Sequence, residues 1–332
     1  MLSVSDPDQS LCLRGSSSSE PDAAIVIVNF RAPELVERCL DSVRATSSQL
    51  EVETVIVDNA SEDGSVERLR RSQSGATVIE MPRNMGFAAG VNAGFRQSGA
   101  EFVIVLNPDT EVQDGALEKL LAHMGEHPQT GVLAPLLRDA AGHIAPNGYR
   151  RFPGLLTLAM DLCVPIMYAL VYFPALNPYA MSPSALSAGQ RPAHVCGAAM
   201  AIRRSAYTQA GPLDEAFFLY LEETEWQQRV AACGWTIEVL PHAQVCHLVR
   251  GGGEAALTHS PYFVTSALRY LHLQGVPVIL ARTALSASLA LSWLTLRAIA
   301  CFPSKRASAA ARARAYGSLL RRALKDAPGS AA

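Results

Sequence analysis

Charge and paired cysteines are both scarce in this sequence. Asp, Glu, Lys and Arg make up 17% of its 332 residues, and they nearly cancel at a net charge of −2. A balance this close to neutral leaves no electrostatic footprint for nucleic acid, so no nucleic-acid partner is expected. The seven cysteines are odd in number and scattered, with no CxxC pair. That excludes a disulfide framework and a zinc knuckle, and it favours a reducing compartment. Residues 1–22 are polar, include Ser16–Ser19 and have no apolar h-region. No secretory signal is read there, and this tail is expected to be disordered. There is no internal repeat and no G-x-G-x-x-G spacing, hence no dinucleotide fingerprint. Apolar residues are plentiful at 49%, enough for a sizeable core in one large domain with appendages.

Up to residue 137 the chain alternates short apolar runs with amphipathic stretches. Residues 23–28, 52–57, 77–81, 102–106 and 131–137 read as buried strands. Pro33 can open a helix at its first turn, and Leu35, Val36, Cys39, Leu40 and Val43 continue it at helical spacing. Helices are also expected over 87–97 and 115–123. Such alternation predicts an α/β fold, with a mostly parallel central sheet covered by helices on both faces.

Residues 151–193 break the rhythm. The segment 155–176 is strongly apolar but carries Asp161, Pro165 and Pro174, and 177–191 is rich in Pro, Ser and Ala. Regular structure is expected again as strands over 197–203, 235–240 and 245–249, with a helix over 222–233 that ends at Gly234. The apolar stretch 276–302 is interrupted by Arg282 and Arg297, and its uncharged part, 283–296, falls short of the ~20 residues of a spanning helix. A basic, Ala-rich end follows. An apolar helix before a basic one predicts peripheral attachment to an anionic membrane; packing on the domain or on a second subunit is the plainer alternative.

Six places carry candidate chemistry. Asn107-Pro108-Asp109 directly follows the run 102–106, which would hold a carboxylate at the sheet's carboxyl edge, where ligands of open α/β sheets bind. Asp58 follows the second strand and would lie beside Asp109 if the two strands are neighbours. It can accept the ring N–H of a pyrimidine base, or simply form a turn and helix cap. The segment Asn84-Met85-Gly86-Phe87-Ala88-Ala89-Gly90-Val91-Asn92 puts small residues on a helix's first turn, for close approach of a phosphate or ribose or for close helix–sheet packing. Glu222, Glu223 and Glu225 open a helix, where the macrodipole favours acids and Glu225 can pair with Arg229. Adjacent helix positions point about 100° apart, so Glu222 and Glu223 cannot both face one site. His247 follows an apolar pair and can ligate Mn²⁺ or fill a structural role. Gly251-Gly252-Gly253 beyond it reads as a loop that closes over substrate or as a passive connector.

Taken in order, Ile27-Val28-Asn29-Phe30, Val57-Asp58-Asn59-Ala60-Ser61, the 84–92 segment, Leu106-Asn107-Pro108-Asp109, Gly197-Ala198-Ala199-Met200, residues 217–229 and His247 resemble family 2 glycosyltransferases of the rhamnosyltransferase-like branch. The resemblance covers residues 23–255. It implies the GT-A nucleotide-diphospho-sugar transferase fold, with a nucleotide-binding part over 23–137, an acceptor-binding part over 138–255 and a helical tail over 256–332. It further implies inverting transfer of a sugar from a nucleotide-sugar donor to a hydroxyl, with Mg²⁺ or Mn²⁺ as cofactor. Carried over by position, Asn29 and Asp58 contact the nucleotide, and Asn84, Gly86 and Asn92 line its pocket. Asp109 binds the metal and His247 completes its shell. The Glu222-Glu223 pair matches the family's Glu-Asp, whose second acid is the base, so Glu223 is expected in that role.

Here the sequence departs from the family pattern, with Glu for Asp at the base and again at Glu225. One extra methylene moves a carboxylate by about 1.5 Å, and ~1 Å of misplacement can cost 10²-fold, so Glu222 stays open as the alternative base. A dTDP- or UDP-sugar donor and a saccharide acceptor, polyprenyl-linked to suit segment 155–176, are expected. So is a cytoplasmic location at the inner face of the plasma membrane, with a homo-oligomer left open. The rivals are a catalytically silent nucleotide- or glycan-binding membrane scaffold, and a sugar nucleotidyltransferase. The latter needs a Gly-rich basic loop that Asn29-Phe30-Arg31-Ala32-Pro33 does not provide.

Overall fold

Seven apolar or neutral residues in a row, all buried, make Ala23–Asn29 the central strand β1 of a computed structural model. The structure describes residues 21–145, 149–172, 181, 191–248, 260–302 and 306–325. A strand covered on both faces needs no polar alternation, and β1 shows none. In chain order the others are β2 (Val52–Asp58), β3 (Ala76–Glu80), β4 (Phe102–Leu106), β5 (Thr110–Val112), β6 (Thr130–Arg138), β7 (Tyr149–Arg150), β8 (His194–Val195), β9 (Ala199–Arg203) and β10 (Thr236–His247). Eight of them form one sheet in the order β3-β2-β1-β4-β9-β6-β10-β5, while β7 and β8 pair separately. Four of the seven pairings in the large sheet are parallel, so the sheet is mostly parallel as expected. The antiparallel β9 joins β4 to β6 and fuses the two halves of the sheet.

The helices are α1 (Pro33–Thr46), α2 (Ser65–Ser72), α3 (Gly86–Gln97), α4 (Ala116–Glu126), α5 (Leu155–Asp161), α6 (Val164–Tyr172), α7 (Arg204–Ala210), α8 (Glu222–Ala232), α9 (Pro261–Leu273), α10 (Val278–Ile299) and α11 (Arg306–Lys325). Pro33 opens α1, which buries Val36, Cys39, Leu40 and Val43 on the sheet. α3 lies close on β1, because Gly90 and Gly94 face the side chains of Val28 and Val26 with no room for a Cβ. These two glycines therefore serve helix–sheet packing.

Three expectations are corrected. β1 lies between β2 and β4, so Asp58 and Asp109 are not on neighbouring strands. The two strands expected over 235–240 and 245–249 are one, β10, with an irregularity between Leu240 and Gln244. Pro241 cannot donate to the ladder there, and the chain bulges instead of breaking. The strand expected from residue 197 begins at Ala199. Pro174, most of 177–191, Val249, the 251–253 glycines and residues 1–20 lie outside the described residues.

Two apolar clusters hold the molecule. One surrounds the sheet. The other joins α5 and α6 to α9, α10 and α11, and it includes Phe217 and Leu221 from the loop before α8. α10 runs straight through Arg282 and Arg297. At 22 residues it is long and apolar enough to cross a membrane by length and composition, which revises the shorter stretch read from sequence. One stripe, Ala281, Leu285, Leu289, Ser292 and Leu296, is buried, while Ile279, Leu280, Leu291 and Leu294 are exposed.

Candidate active site

The carboxyl ends of β1, β2 and β4 share one edge of the sheet, with Asn29 beside Asp58 and Ile27 beside Leu106. Both Asn29 and Asp58 are fully buried. Asn29 Nδ2 donates to Asp58 Oδ2 at 2.7 Å, Ser61 Oγ donates to the same oxygen at 2.7 Å, and the Ser61 N–H donates to Oδ1 at 2.9 Å. Asn29 Oδ1 accepts from the Ala32 N–H at 3.2 Å. The Asp58 carboxylate thus ties its own turn, the plainer of its two expected roles, and it presents no surface to a base. Around it the backbone is strained. All five non-glycine residues with positive φ among the described residues are Arg31, Ala60, Glu62, Tyr220 and Leu221, in the loops after β1 and β2 and just before α8. Each such residue costs about 1–3 kcal/mol and persists where the surroundings over-determine it, commonly at functional sites.

Asn59, which the sequence did not single out as a site residue, joins the loop after β2 to the turn that opens α3. Its Oδ1 accepts from the Met85 N–H at 2.9 Å, and its Nδ2 donates to the Gly86 carbonyl at 3.0 Å. Gly86 has φ +85°, and a Cβ there would sit 2.8 Å from the carbonyl carbon and Cα of Phe218. The Phe87 N–H donates to the Phe218 carbonyl at 3.0 Å. Gly86 is therefore small to admit another backbone segment. Asn84 is half-buried, and its Oδ1 accepts from the Gly86 N–H at 3.1 Å. Asn92 does not line a pocket. Fully buried, it donates to the Leu213 carbonyl and to Glu215, and it accepts from the Leu213 N–H and the Tyr207 hydroxyl, all within 3.0 Å.

β5 brings the next two residues together. It pairs with the end of β10, placing His247 opposite Thr110. The Leu248 N–H donates to the Asp109 carbonyl at 2.7 Å, and His247 Nε2 lies 3.1 Å from Asp109 Oδ1. Among the described residues no cluster of three or more His, Cys, Asp or Glu side chains forms, so the donor set is one carboxylate and one imidazole. That set fits Mg²⁺ or Mn²⁺, which take few protein ligands and share the rest of the shell with phosphate oxygens and water.

The acids of α8 differ in setting. Glu222 is 3% exposed, and its Oε2 is buried without a partner. Burial, and then the charge of Glu223, push its pKa well above the usual carboxylate range. Glu223 is half-buried. Burial raises its pKa too, but backbone N–H groups and Arg150 pull it back. A Cβ on Gly197 would lie 3.5 Å from Glu223 Cγ and 3.4 Å from the Phe87 ring. The adjoining Ala198 carbonyl accepts from the Asn107 N–H at 2.8 Å. Glu223 and the Asn107-Pro108-Asp109 turn are thus seated on the same 197–198 segment. Glu225 is bound through both oxygens to Arg229, at 2.8 and 2.9 Å, as its spacing predicts. Arg150, on β7, acts on Glu223 without any signal in the sequence, and His194 faces Arg150 across the β7–β8 ladder. His194 is buried, stacks on Phe152 and has no hydrogen-bond partner for either ring nitrogen among the described residues. Burial and the nearby Arg150 charge keep it neutral, with a pKa of about 3.

The fold is one that known proteins share. Residues 24–163 match the sequence model of Glycosyl transferase family 2. The chain is 28% identical over 237 residues to the N-acetylglucosaminyl-diphospho-decaprenol L-rhamnosyltransferase of Mycobacterium tuberculosis, covering 67% of this chain and 75% of that one. Among solved structures it resembles a mannosyltransferase of Pyrobaculum calidifontis in complex with GDP-Man and Mn²⁺ (TM-score 0.55, 16% identity, 92% of this chain and 87% of the other). It also resembles GalNAc-T7 with UDP, GalNAc and Mn²⁺ (TM-score 0.55, 16% identity, 75% of this chain), of which it spans about half, 47%. With its GT-A fold and this site, the chain resembles the family 2 glycosyltransferases, with residues 24–163 carrying that family's pattern, and is a glycosyltransferase similar to a rhamnosyltransferase at 28% identity.

Proposed function

We propose that this enzyme moves rhamnose or a hexose, with inversion, from a dTDP- or UDP-sugar to a hydroxyl of a saccharide carried on a polyprenyl diphosphate. It would act in cell-surface polysaccharide synthesis at the cytoplasmic face of the plasma membrane. The observation that carries the reading is that Glu223 and the Asp109–His247 pair stand on one sheet edge, seated on the same 197–198 segment. The printed name of the mycobacterial relative supports the acceptor. Residues 23–137 would bind the donor and 138–255 the acceptor.

Glu223 is the base in this reading, because it reaches solvent where Glu222 does not. An acceptor hydroxyl is a poor nucleophile at neutral pH, so a positioned carboxylate must take its proton as the new bond forms. The raised pKa of Glu223 suits that task, since a more basic carboxylate accepts a proton more readily. Burial pushes the Glu222 carboxyl up further still, which disfavours a second charge beside Glu223. Asp109 and His247 would hold Mg²⁺ or Mn²⁺, which supplies neutralisation of the leaving diphosphate when bound. Asn29 and Asp58 would shape the nucleotide's floor through the turn they fix, with Asn84 and Gly86 at its wall.

The test is sugar transfer over a panel of dTDP- and UDP-sugars with either metal. Glu223→Gln should cut turnover by about 10²–10⁴, the usual worth of a general base. Asp109→Ala should lose turnover as well, and Glu222→Gln should keep most of it. Wild-type protein that binds nucleotide but turns over no donor on any acceptor would overturn the reading in favour of a silent scaffold.

A further inference from the structure

From Ala255 to Lys325 the sequence contains no Asp or Glu, but it contains Arg269, Arg282, Arg297, Lys305, Arg306, Arg312, Arg314, Arg321, Arg322 and Lys325. α10 and α11 fold this run into a hairpin with a cleft of about 630 Å³ between the helices. Its floor is small: Ala310, Ala313 and Gly317 on α11 leave space at helical spacing. A Cβ on Gly317 would meet the Trp293 indole at 3.3 Å, so the glycine lets that ring lie against α11. Arg297 sits over the Trp293 ring, 5.7 Å from its centre. Arg306, Arg314 and Arg321 complete the walls. None of these four arginines makes an ion pair among the described residues.

Four guanidinium groups around one pocket repel one another unless an anion joins them. Planar five-donor forks match phosphate oxygens in pairs, which makes phosphate the anion of choice. The rim adds a second requirement. Leu294 on α10 and Phe302 beyond it are exposed large apolar side chains, next in the chain to Trp293 and Cys301 of the cleft lining. Leu294 adjoins Trp293 in the chain and is three residues from Arg297, a surface neighbour on a helix. An occupant that meets both requirements has hydrocarbon next to its phosphate.

We propose that the α10–α11 cleft is a binding site for the phosphate headgroup of an anionic membrane phospholipid. The site goes beyond the transfer reaction, since none of its residues belongs to the transfer site. It converts a diffusely basic tail into a seat of defined geometry, with Leu294 and Phe302 dipping into the acyl region.

Flotation of the full chain tests this, using vesicles of phosphatidylcholine alone, of phosphatidylcholine with phosphatidylglycerol, and of phosphatidylcholine with a polyprenyl diphosphate. Thermal unfolding of each variant confirms that it is folded. Binding to the phosphatidylglycerol vesicles and none to the neutral ones is expected. Arg312→Gln, on α11 but outside the cleft, should weaken binding about fivefold, the effect of one basic residue near an anionic surface. Arg314→Gln and Arg321→Gln should each weaken it about thirtyfold, as loss of a charge-assisted hydrogen-bonding partner does. Ala310→Leu fills the floor without changing charge and should weaken binding by a similar factor. Ala310→Leu binding like wild type, or Arg312→Gln falling as far as Arg314→Gln, would mean a diffuse basic surface and overturn the site. Binding only to the polyprenyl diphosphate vesicles would overturn the assignment to phospholipid. Transfer to a lipid-free saccharide should be unchanged in Arg314→Gln, so loss of this site and failure of the transfer reading are separable.

Discussion

Gly64 and Gly86 share a backbone conformation, φ +85°, but not an environment. A Cβ on Gly64 meets nothing within 4 Å, whereas on Gly86 it would stand 2.8 Å from the carbonyl carbon and Cα of Phe218. The pair therefore separates a conformational cost from a collision. Alanine in the left-handed region costs about 1–2 kcal/mol at either position. At Gly86 the Phe218 segment must also retreat by about 1 Å to restore ordinary carbon contacts near 3.5–4.0 Å. That retreat stretches the 3.0 Å bond from the Phe87 N–H and forfeits a further ~0.5–1.5 kcal/mol. At roughly 2–4 °C per kcal/mol, Gly64→Ala should lower Tm by about 2–8 °C and Gly86→Ala by about 3–14 °C, the second always the larger at a given conversion. The sharper contrast is in rate. Phe218 lies four residues before Glu222, and a ~1 Å displacement of reacting groups costs about 10²-fold. Gly86→Ala should lose that much kcat, while Gly64→Ala keeps the wild-type value. Paired calorimetry and steady-state transfer assays give both numbers. Equal Tm losses, or full kcat in Gly86→Ala, would refute the claim that the Phe218 segment is positioned through this glycine.

Three further predictions follow from particular contacts. Because Glu222 has its folded pKa raised above the ordinary 4.5, its contribution to stability is full below that value and is lost as pH rises through the folded pKa. Glu222→Gln should therefore match wild type near pH 4 and exceed it by about 1–3 kcal/mol at pH 8, in line with relief of a buried unsatisfied group; parallel Tm profiles from pH 4 to 8 would contradict this. Asn92→Ala removes four hydrogen bonds and should cost about 2–4 kcal/mol with donor KM unchanged, whereas a residue touching the nucleotide would raise KM. Asp109→Asn should weaken Mn²⁺ binding at least about tenfold, read by titration of the ion against protein saturated with the nucleoside diphosphate, and unaltered Mn²⁺ affinity would remove Asp109 from the metal site.

What could be read from the sequence follows the range of the interactions. β1 and β4 were legible because strands covered on both faces must be continuously apolar, and α1 because Pro33 marks its start. The acid pair of α8 was legible too, and so was its division into one buried and one reachable carboxylate, since helix geometry alone sets them apart. Sheet order was not. Nothing local says that β1 separates Asp58 from Asp109, and the expected adjacency fails for that reason. The short β5 has no periodicity of its own and exists only because the end of β10 pairs with it. Asn92 was expected at the nucleotide pocket by resemblance, but its partner at Leu213 is 121 positions away, and such a bond leaves no trace in spacing. The gap between the runs 235–240 and 245–249 read as a break, where an irregularity between Leu240 and Gln244 carries one strand through.

Tyr220 and Leu221 enter α8 through two consecutive left-handed conformations, and neither is glycine. What keeps them there comes from far along the chain. Leu221 and Phe217 are packed among Phe263, Tyr270, Leu285, Leu289 and Tyr316, and Ser266 Oγ holds the Leu219 carbonyl at 2.9 Å. The joint at residue 255, a natural place to cut when reading composition, is thus not a joint in the mechanics of the molecule. A shortened protein ending there would keep every acid and every metal ligand but lose the wall against which α8 is braced. Its first turn would be free to relax into ordinary angles, turning Glu223 away from the edge it now faces. On this view the buried faces of the C-terminal helices brace the loop that sets the base, and exchanging those helices between relatives would exchange that bracing along with any affinity for a membrane.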